Sequence, residues 1–220
     1  MSPPRAQRQS RKNDAPMQPK RGGWNKGVAV GSMRPLDEEQ IRAIRRILKQ
    51  KMLLRDLALF ETALSTMLRG GDVLHLKVSD VRDSVGTMRQ NFTVRAKKTG
   101  RPVSVGMSDT AQSAVRDLIK SLGLGQADYL FTAAGDPHGE PLTTVSYRRF
   151  IKQWCNWIHV DPAAFSTHSL RRTRAAIIYR ETGNLRAVQL LLGHASIDMT
   201  QRYLGVEEKQ ALELAKRYEV

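Results

Sequence analysis

The sequence predicts a mainly α domain carrying one small antiparallel β-sheet, an α+β arrangement. Three observations predict it. Apolar residues recur at helical spacing through most of the chain. A single stretch, 88–106, alternates polar and apolar residues about a Lys-Lys-Thr-Gly-Arg turn. Hydrophobic residues make up 40% and aromatics only 6%, which suits helix-on-helix packing in a soluble domain. At 220 residues the chain can bury one sizeable core, with an appended tail or small second unit.

Taken in order, residues 1–34 stand apart. They hold Arg5, Arg8, Arg11, Lys12, Lys20, Arg21, Lys26 and Arg34 against the one acid Asp14, and they hold four prolines. Too few apolar residues remain for a core, so this segment reads as a disordered basic arm. Folding is expected from Pro35. Asp37-Glu38-Glu39 places acid in a first helical turn, and Ile41, Ile44, Ile47 and Leu48 follow at helical spacing. A second helix runs from Leu53 to Met67, and Gly70-Gly71 reads as its C-terminal stop. Val73-Leu74-His75-Leu76 then leads to a short extended piece ending near Asp80-Val81. Strands are predicted at Met88–Ala96 and Pro102–Gly106. Further helices are predicted over 109–121, 143–158, 168–181, 184–192, 196–203 and 207–218. The last carries Ala211, Leu214, Ala215 and Tyr218 at helical spacing and can dock on its own domain or on a neighbouring protomer.

Charge points to the partner. Lys plus Arg total 36 against 21 acids, a formal net charge of +15. Such an excess favours a polyanion, and nucleic acid comes first because phosphate neutralisation drives binding. A membrane surface is the competing polyanion, but no basic amphipathic helix or lipidation motif is evident. No apolar run approaches the ~18 residues of a spanning helix, and the N-terminus lacks a signal-peptide core. The single cysteine, Cys155, excludes an internal disulfide and fits a reducing compartment.

Two clusters near the C-terminus carry chemistry. His168 and Arg171 share a face if their segment is helical. A guanidinium is a planar, permanently charged fork that fits two phosphate oxygens, and an imidazole beside it can accept a proton or donate a hydrogen bond. Leu191-Leu192-Gly193-His194 reads as an apolar helix end, a glycine stop and a histidine beyond it. Tyr203 follows nine residues after His194. Each feature alone has an ordinary structural reading, such as a solvated arginine, a helix cap or a core tyrosine. Their joint order and spacing do not. Cys155 and His159 also sit four residues apart, but that pair reads as packing.

This pattern of His-x-x-Arg, Leu-Gly-His and Tyr resembles the tyrosine recombinase (phage integrase) family, and Ala187–Ser196 matches the family's usual wording. With the resemblance in view, Thr66–Val73 and Leu76–Val81 resemble the family's first-arginine box. Arg69 then stands as the first catalytic arginine and Asp72 as its supporting acid. Lys98, in the hairpin turn, resembles the family's catalytic lysine, with Lys97 beside it as the alternative. The resemblance covers 36–206 and implies a catalytic domain over 35–206. It departs at the front, where typical members carry a helical core-binding domain that clamps the other face of DNA. Arg172 stands where many members have His.

The resemblance implies that Arg69, Lys98, His168, Arg171, His194 and Tyr203 cut and rejoin double-stranded DNA through a 3′-phosphotyrosine. His168 would take the phenol proton, and the cations would favour the phenolate. Lys97, Arg101, Arg172 and Arg174 would contact DNA. No metal, cofactor or small-molecule substrate is implied. The partners implied are DNA and further copies of the chain in a tetrameric synapse, in a bacterial cytoplasm at the nucleoid. Two other readings remain open: a DNA-binding accessory protein without productive exchange, and a type IB topoisomerase-like enzyme.

Overall fold

A computed structural model of the chain describes residues 33–204. The basic arm expected over 1–34, apart from Met33 and Arg34, and the helix expected over 207–220 lie outside the described residues. The elements in order are α1 (Glu38–Gln50), α2 (Leu54–Thr66), α3 (Gly70–Leu74), α4 (Val78–Val81), β1 (Asn91–Arg95) and β2 (Pro102–Gly106). They continue as α5 (Asp109–Leu122), α6 (Thr144–Trp157), a 3₁₀ turn at Pro162–Ala164, α7 (Thr167–Thr182), α8 (Leu185–Leu192) and α9 (Ile197–Leu204). The two strands pair antiparallel, from Asn91 opposite Gly106 to Arg95 opposite Pro102. The mainly helical fold with one small sheet therefore stands as the sequence predicts.

The core is organised around α2, whose buried side includes Ala58, Leu59, Phe60, Ala63 and Leu64. It packs against α1, α5 and α7. Helix boundaries follow local chemistry. Asp37 caps α1 by accepting from Gln40 N–H at 2.8 Å. Ser108 caps α5, and Gly123 ends it in a left-handed conformation. Ser166 caps α7, which ends at the left-handed Gly183. The start of the described chain is tied across the domain: Arg34 N–H donates to Ala164 O at 3.0 Å, and Leu36 N–H to Thr173 Oγ1 at 2.8 Å.

The two acids buried on α2 are paired. Glu61 accepts both arms of the Arg45 guanidinium, and Asp56 accepts from Arg55 and, at 3.4 Å, from Trp154 Nε1–H. The Trp154 ring, 1% exposed, meets Phe60 edge-on at 5.5 Å and Tyr147 at 6.4 Å. Burial alone drives the Tyr147 phenol above its ordinary range.

Three local expectations are corrected. Gly70-Gly71 does not stop α2. The chain turns earlier, at Met67, which takes a left-handed φ of 52°, and the glycines open α3. The piece ending near Asp80-Val81 is not an extended run: Lys77 pairs in an isolated bridge with Tyr129, and Val78–Val81 form α4. The first strand begins at Asn91 rather than Met88, because Met88 bridges back to Arg82 instead.

Trp154→Ala is expected to cost about 3–5 kcal/mol of stability, as for other large core truncations, measured by urea unfolding. A loss under about 1 kcal/mol would show that the α2–α6 seam does not depend on this ring.

Candidate active site

Four pieces of chain converge at one end of the domain. They are the head of α3, the turn of the β1–β2 hairpin, the first half of α7, and the junction of α8 with α9. Each is positioned by its own local rule. Arg69 sits at the N-cap of α3 with extended backbone, half-buried. Asp72 lies in the first turn of α3 and is 4% exposed. Its Oδ1 accepts the Lys97 backbone N–H at 2.9 Å, so the acid anchors the hairpin turn. The turn closes through Gly100, with φ of +66° and its N–H donating to Ala96 O at 2.7 Å. The Lys97 and Lys98 side chains project from that turn into solvent.

Helix α7 buries Arg171 and Arg172, at 4% and 7% exposure. The Arg171 guanidinium donates to Leu192 O, the last carbonyl of α8. A cation at a helix C-terminus meets the negative end of the macrodipole. Burial pushes Arg171 down to about 10, the phenol of Tyr203 opposes that shift, Arg69 adds to it, and Asp72 again opposes it. Arg171 thus stays charged at neutral pH.

Helix α8 ends at Gly193, whose φ of +60° no L side chain adopts without strain. A Cβ there would lie 3.0 Å from Val103 Cγ2 on β2, so glycine is needed for conformation and for space. Beyond it, His194 is held from three sides. Its N–H donates to Gln189 O and its carbonyl accepts from Gln189 Nε2–H, both at 3.1 Å. Its Nδ1 lies 3.1 Å from Thr200 Oγ1. Partial burial pushes His194 down to about 4, with Arg171 and Arg69 adding to the shift.

Tyr203 comes off the last turn of α9, half-buried. Its Oη donates to the His168 backbone carbonyl at 3.2 Å. Its ring meets the His194 ring edge-on at 5.3 Å, and the Arg172 guanidinium lies over it at 5.1 Å. Burial pushes the phenol up to about 12, against the pull of Arg171, Arg172 and Arg69. The expectation that the cations would favour the phenolate is therefore corrected: they act in that direction, but desolvation outweighs them. His168 is lowered by desolvation and then by Arg171, Arg69, Arg172 and Lys98.

The structure thus brings Arg69, Asp72, Lys98, His168, Arg171, His194 and Tyr203 together. Arg172 belongs with them, as a buried cation on the Tyr203 ring. Arg101 stays apart, exposed at the hairpin, with its carbonyl accepting from Ala96 N–H. Arg174 is exposed and faces a separate cleft beside Ser65, Gln90 and Asn91. Gln189 and Thr200 had no signal in the sequence, since an amide in an apolar helix and a threonine before a tyrosine are unremarkable alone. Among the described residues no group of three or more His, Cys, Asp or Glu could hold a metal ion, and no helix is long and apolar enough to cross a membrane.

The chain belongs to the phage integrase family, which matches residues 34–210. It is 32% identical over 166 residues to the tyrosine recombinase XerC of Pelobacter propionicus, covering 73% of this chain and 51% of that one. It is 23% identical over 175 residues to the probable integrase/recombinase YoeC of Bacillus subtilis, covering 77% of this chain and 91% of that one. The chain spans about half the length of the XerC and XerD relatives it matches. In fold it is similar to XerA recombinase, with a TM-score of 0.68 and 23% identity over 84% of this chain and 65% of that one. It is also similar to the Tn1549 transposon integrase in complex with transposon right end DNA, with a TM-score of 0.67 and 20% identity over 86% and 67%.

Two outcomes are expected from this geometry. Gly193→Ala should cost about 1–2 kcal/mol, the penalty of a left-handed L residue, read by denaturant unfolding. An unchanged midpoint would show that the turn relaxes freely. The second concerns acid. His194 binds its proton near 6.5 when unfolded and near 4 when folded, so between those values the unfolded chain holds more protons. The stability tied to this group is present above about 6.5 and is lost as pH falls towards 4. Thermal unfolding of wild type should drop over that window, and His194→Gln should flatten the drop.

Proposed function

We propose that this chain cuts and rejoins DNA strands as a site-specific recombinase or integrase, through a covalent bond between Tyr203 and a 3′ phosphate. One observation carries the reading: the Tyr203 oxygen lies among guanidiniums of Arg171, Arg172 and Arg69, beside a neutral histidine. A phosphodiester brings one negative charge, and a cation-rich site with a single buried acid, Asp72, is short of anions. Family membership and the net charge of +15 agree with it.

In this reading Arg69 and Arg171 hold the non-bridging phosphate oxygens, and His194 donates a further hydrogen bond. Removing one such donor typically costs about 2.7–4 kcal/mol of barrier. The Tyr203 oxygen attacks phosphorus in line and the bond to the 5′ oxygen breaks. The phenol proton passes to His168, and Lys98 gives a proton to the departing 5′ oxygen. The products are a 3′-phosphotyrosine and a free 5′-hydroxyl. Attack by a different 5′-hydroxyl reverses the step and joins new strands. The phosphotyrosine keeps the energy of the broken bond and side chains supply all the charge, so neither ATP nor a metal ion takes part.

The remaining assignments follow. Residues 35–206 form the catalytic domain, and 1–34 run along the DNA backbone as a basic arm. Residues 207–220 form a helix that docks on a neighbouring protomer. Lys97, Arg101, Arg172 and Arg174 support the DNA, with Arg172 acting through the Tyr203 ring. Exchange takes place in a homotetrameric synapse, in a bacterial cytoplasm at the nucleoid.

The test is covalent trapping on a nicked duplex bearing candidate sites from the flanks of the gene, resolved on a denaturing gel. Wild type should give a shifted band with EDTA present and without nucleotide. Tyr203→Phe should give none while binding DNA nearly as well. Arg171→Ala should lower the cleavage rate by at least a hundredfold. An adduct retained by Tyr203→Phe would place the nucleophile elsewhere. Good binding without any wild-type adduct would favour an accessory DNA-binding role. Relaxation of DNA by an isolated monomer would favour the topoisomerase reading.

A further inference from the structure

Thr200 is 0% exposed, on α9 one turn before Tyr203, and its hydroxyl faces the His194 ring. Three other helical threonines in this domain donate to the carbonyl four residues back. Thr66 reaches Thr62 O at 2.7 Å, Thr173 reaches Ser169 O at 2.8 Å, and Thr182 reaches Ile178 O at 2.6 Å. Thr200 does not. Among the described residues, the one group within hydrogen-bond reach of its hydroxyl is His194 Nδ1, at 3.1 Å.

That single contact decides where the imidazole proton sits. A neutral ring has one N–H and one bare nitrogen. If Nδ1 carried the proton it would donate to Thr200 Oγ1, and the buried hydroxyl hydrogen would have no acceptor. If Nδ1 is bare, the hydroxyl donates to it and both groups are satisfied. A buried donor without an acceptor is costly enough to shift such a balance roughly tenfold. The ring nitrogen on the far side, Nε2, then carries the hydrogen.

We propose that Thr200 is a positioning residue that locks His194 as the Nε2–H tautomer, so that this neutral ring presents a hydrogen-bond donor to the bound phosphate. The part played by the phosphate rests on the strand-transfer reading above. The lock itself does not. Because Thr200 and Tyr203 share α9, one short helix delivers the nucleophile and sets the donor. The ring is trapped between the two: Thr200 on its Nδ1 side and the Tyr203 ring edge-on at 5.3 Å.

The experiment uses the full chain with ¹⁵N-labelled histidine. Long-range ¹H–¹⁵N spectra of the free protein near pH 7.5 assign the His194 tautomer, using His194→Gln to identify its signals. The same proteins are then assayed for the rate of covalent capture on a nicked duplex at saturating protein. Wild type should show Nε2–H alone. Thr200→Val, which keeps the shape and removes the hydroxyl, should show mixed tautomers and a roughly three- to tenfold slower capture. Thr200→Ser should restore both. A wild-type ring protonated at Nδ1 would overturn the lock, as would an unchanged tautomer in Thr200→Val. If Thr200→Val fails to fold, the wild-type and Thr200→Ser spectra still decide. A locked ring in a wild-type protein that never forms the adduct would count against the strand-transfer reading and leave the lock standing.

Discussion

The charged end of this domain depends on one guanidinium taken out of water. Arg171 is almost wholly buried, and such a charge is costly unless it is paired and hydrogen-bonded. Its partners are unusual. It donates to the last carbonyl of α8, and the acid near enough to favour its charge, Asp72, is not bonded to it. Placing the cation there joins α7 to the end of α8, which is where Gly193 turns the chain towards His194 and α9. The site is therefore assembled by the desolvated charge. Taking Arg171 away would release the α8 carbonyl, the turn at Gly193 and the position of Tyr203 together.

Asp72 does a second job at the same end. One of its oxygens is tied to the Lys97 backbone, and the other is buried without a partner among the described residues. The acid thus holds the hairpin that carries Lys98 while lending negative potential to Arg171. Asp72 makes no salt bridge to the arginines, so their guanidiniums keep their charge unpaired. That is the condition under which an incoming phosphate gains most, since no salt bridge has to break first.

Much of this was legible in the sequence because it rests on local chemistry. The helical spacing of the apolar residues, the acid at Asp37-Glu38-Glu39 and Gly193 before His194 all carry their own signals. What escaped depends on tertiary context. Met67 gave no hint of a left-handed turn, because methionine has no such preference. It is held there by packing with Ala175, Val188 and Leu192, and Gly70-Gly71 was then misread as the stop. Arg172 reads in sequence as a DNA contact, and only the fold shows it buried and lying on the Tyr203 ring. The grip of Gln189 and Thr200 on His194 is likewise spatial. The balance of burial against charge at Tyr203 could not be read from residue order at all, since both act at once.

That balance constrains how the phenol can react. Burial holds Tyr203 protonated at neutral pH, and a phosphate arriving between the arginines would screen the very cations that favour its ionisation. In the proposed reaction the phenol proton would therefore leave during attack rather than before it. Oη now donates to the His168 carbonyl, which can orient that proton but cannot take it. The imidazole of the same residue could take it, since burial first, and then the neighbouring cations, favour its neutral form. The burial and cations that depress His168 also weaken it as a base, so in the proposed reaction the transfer would gain its drive from the negative charge of a bound phosphate.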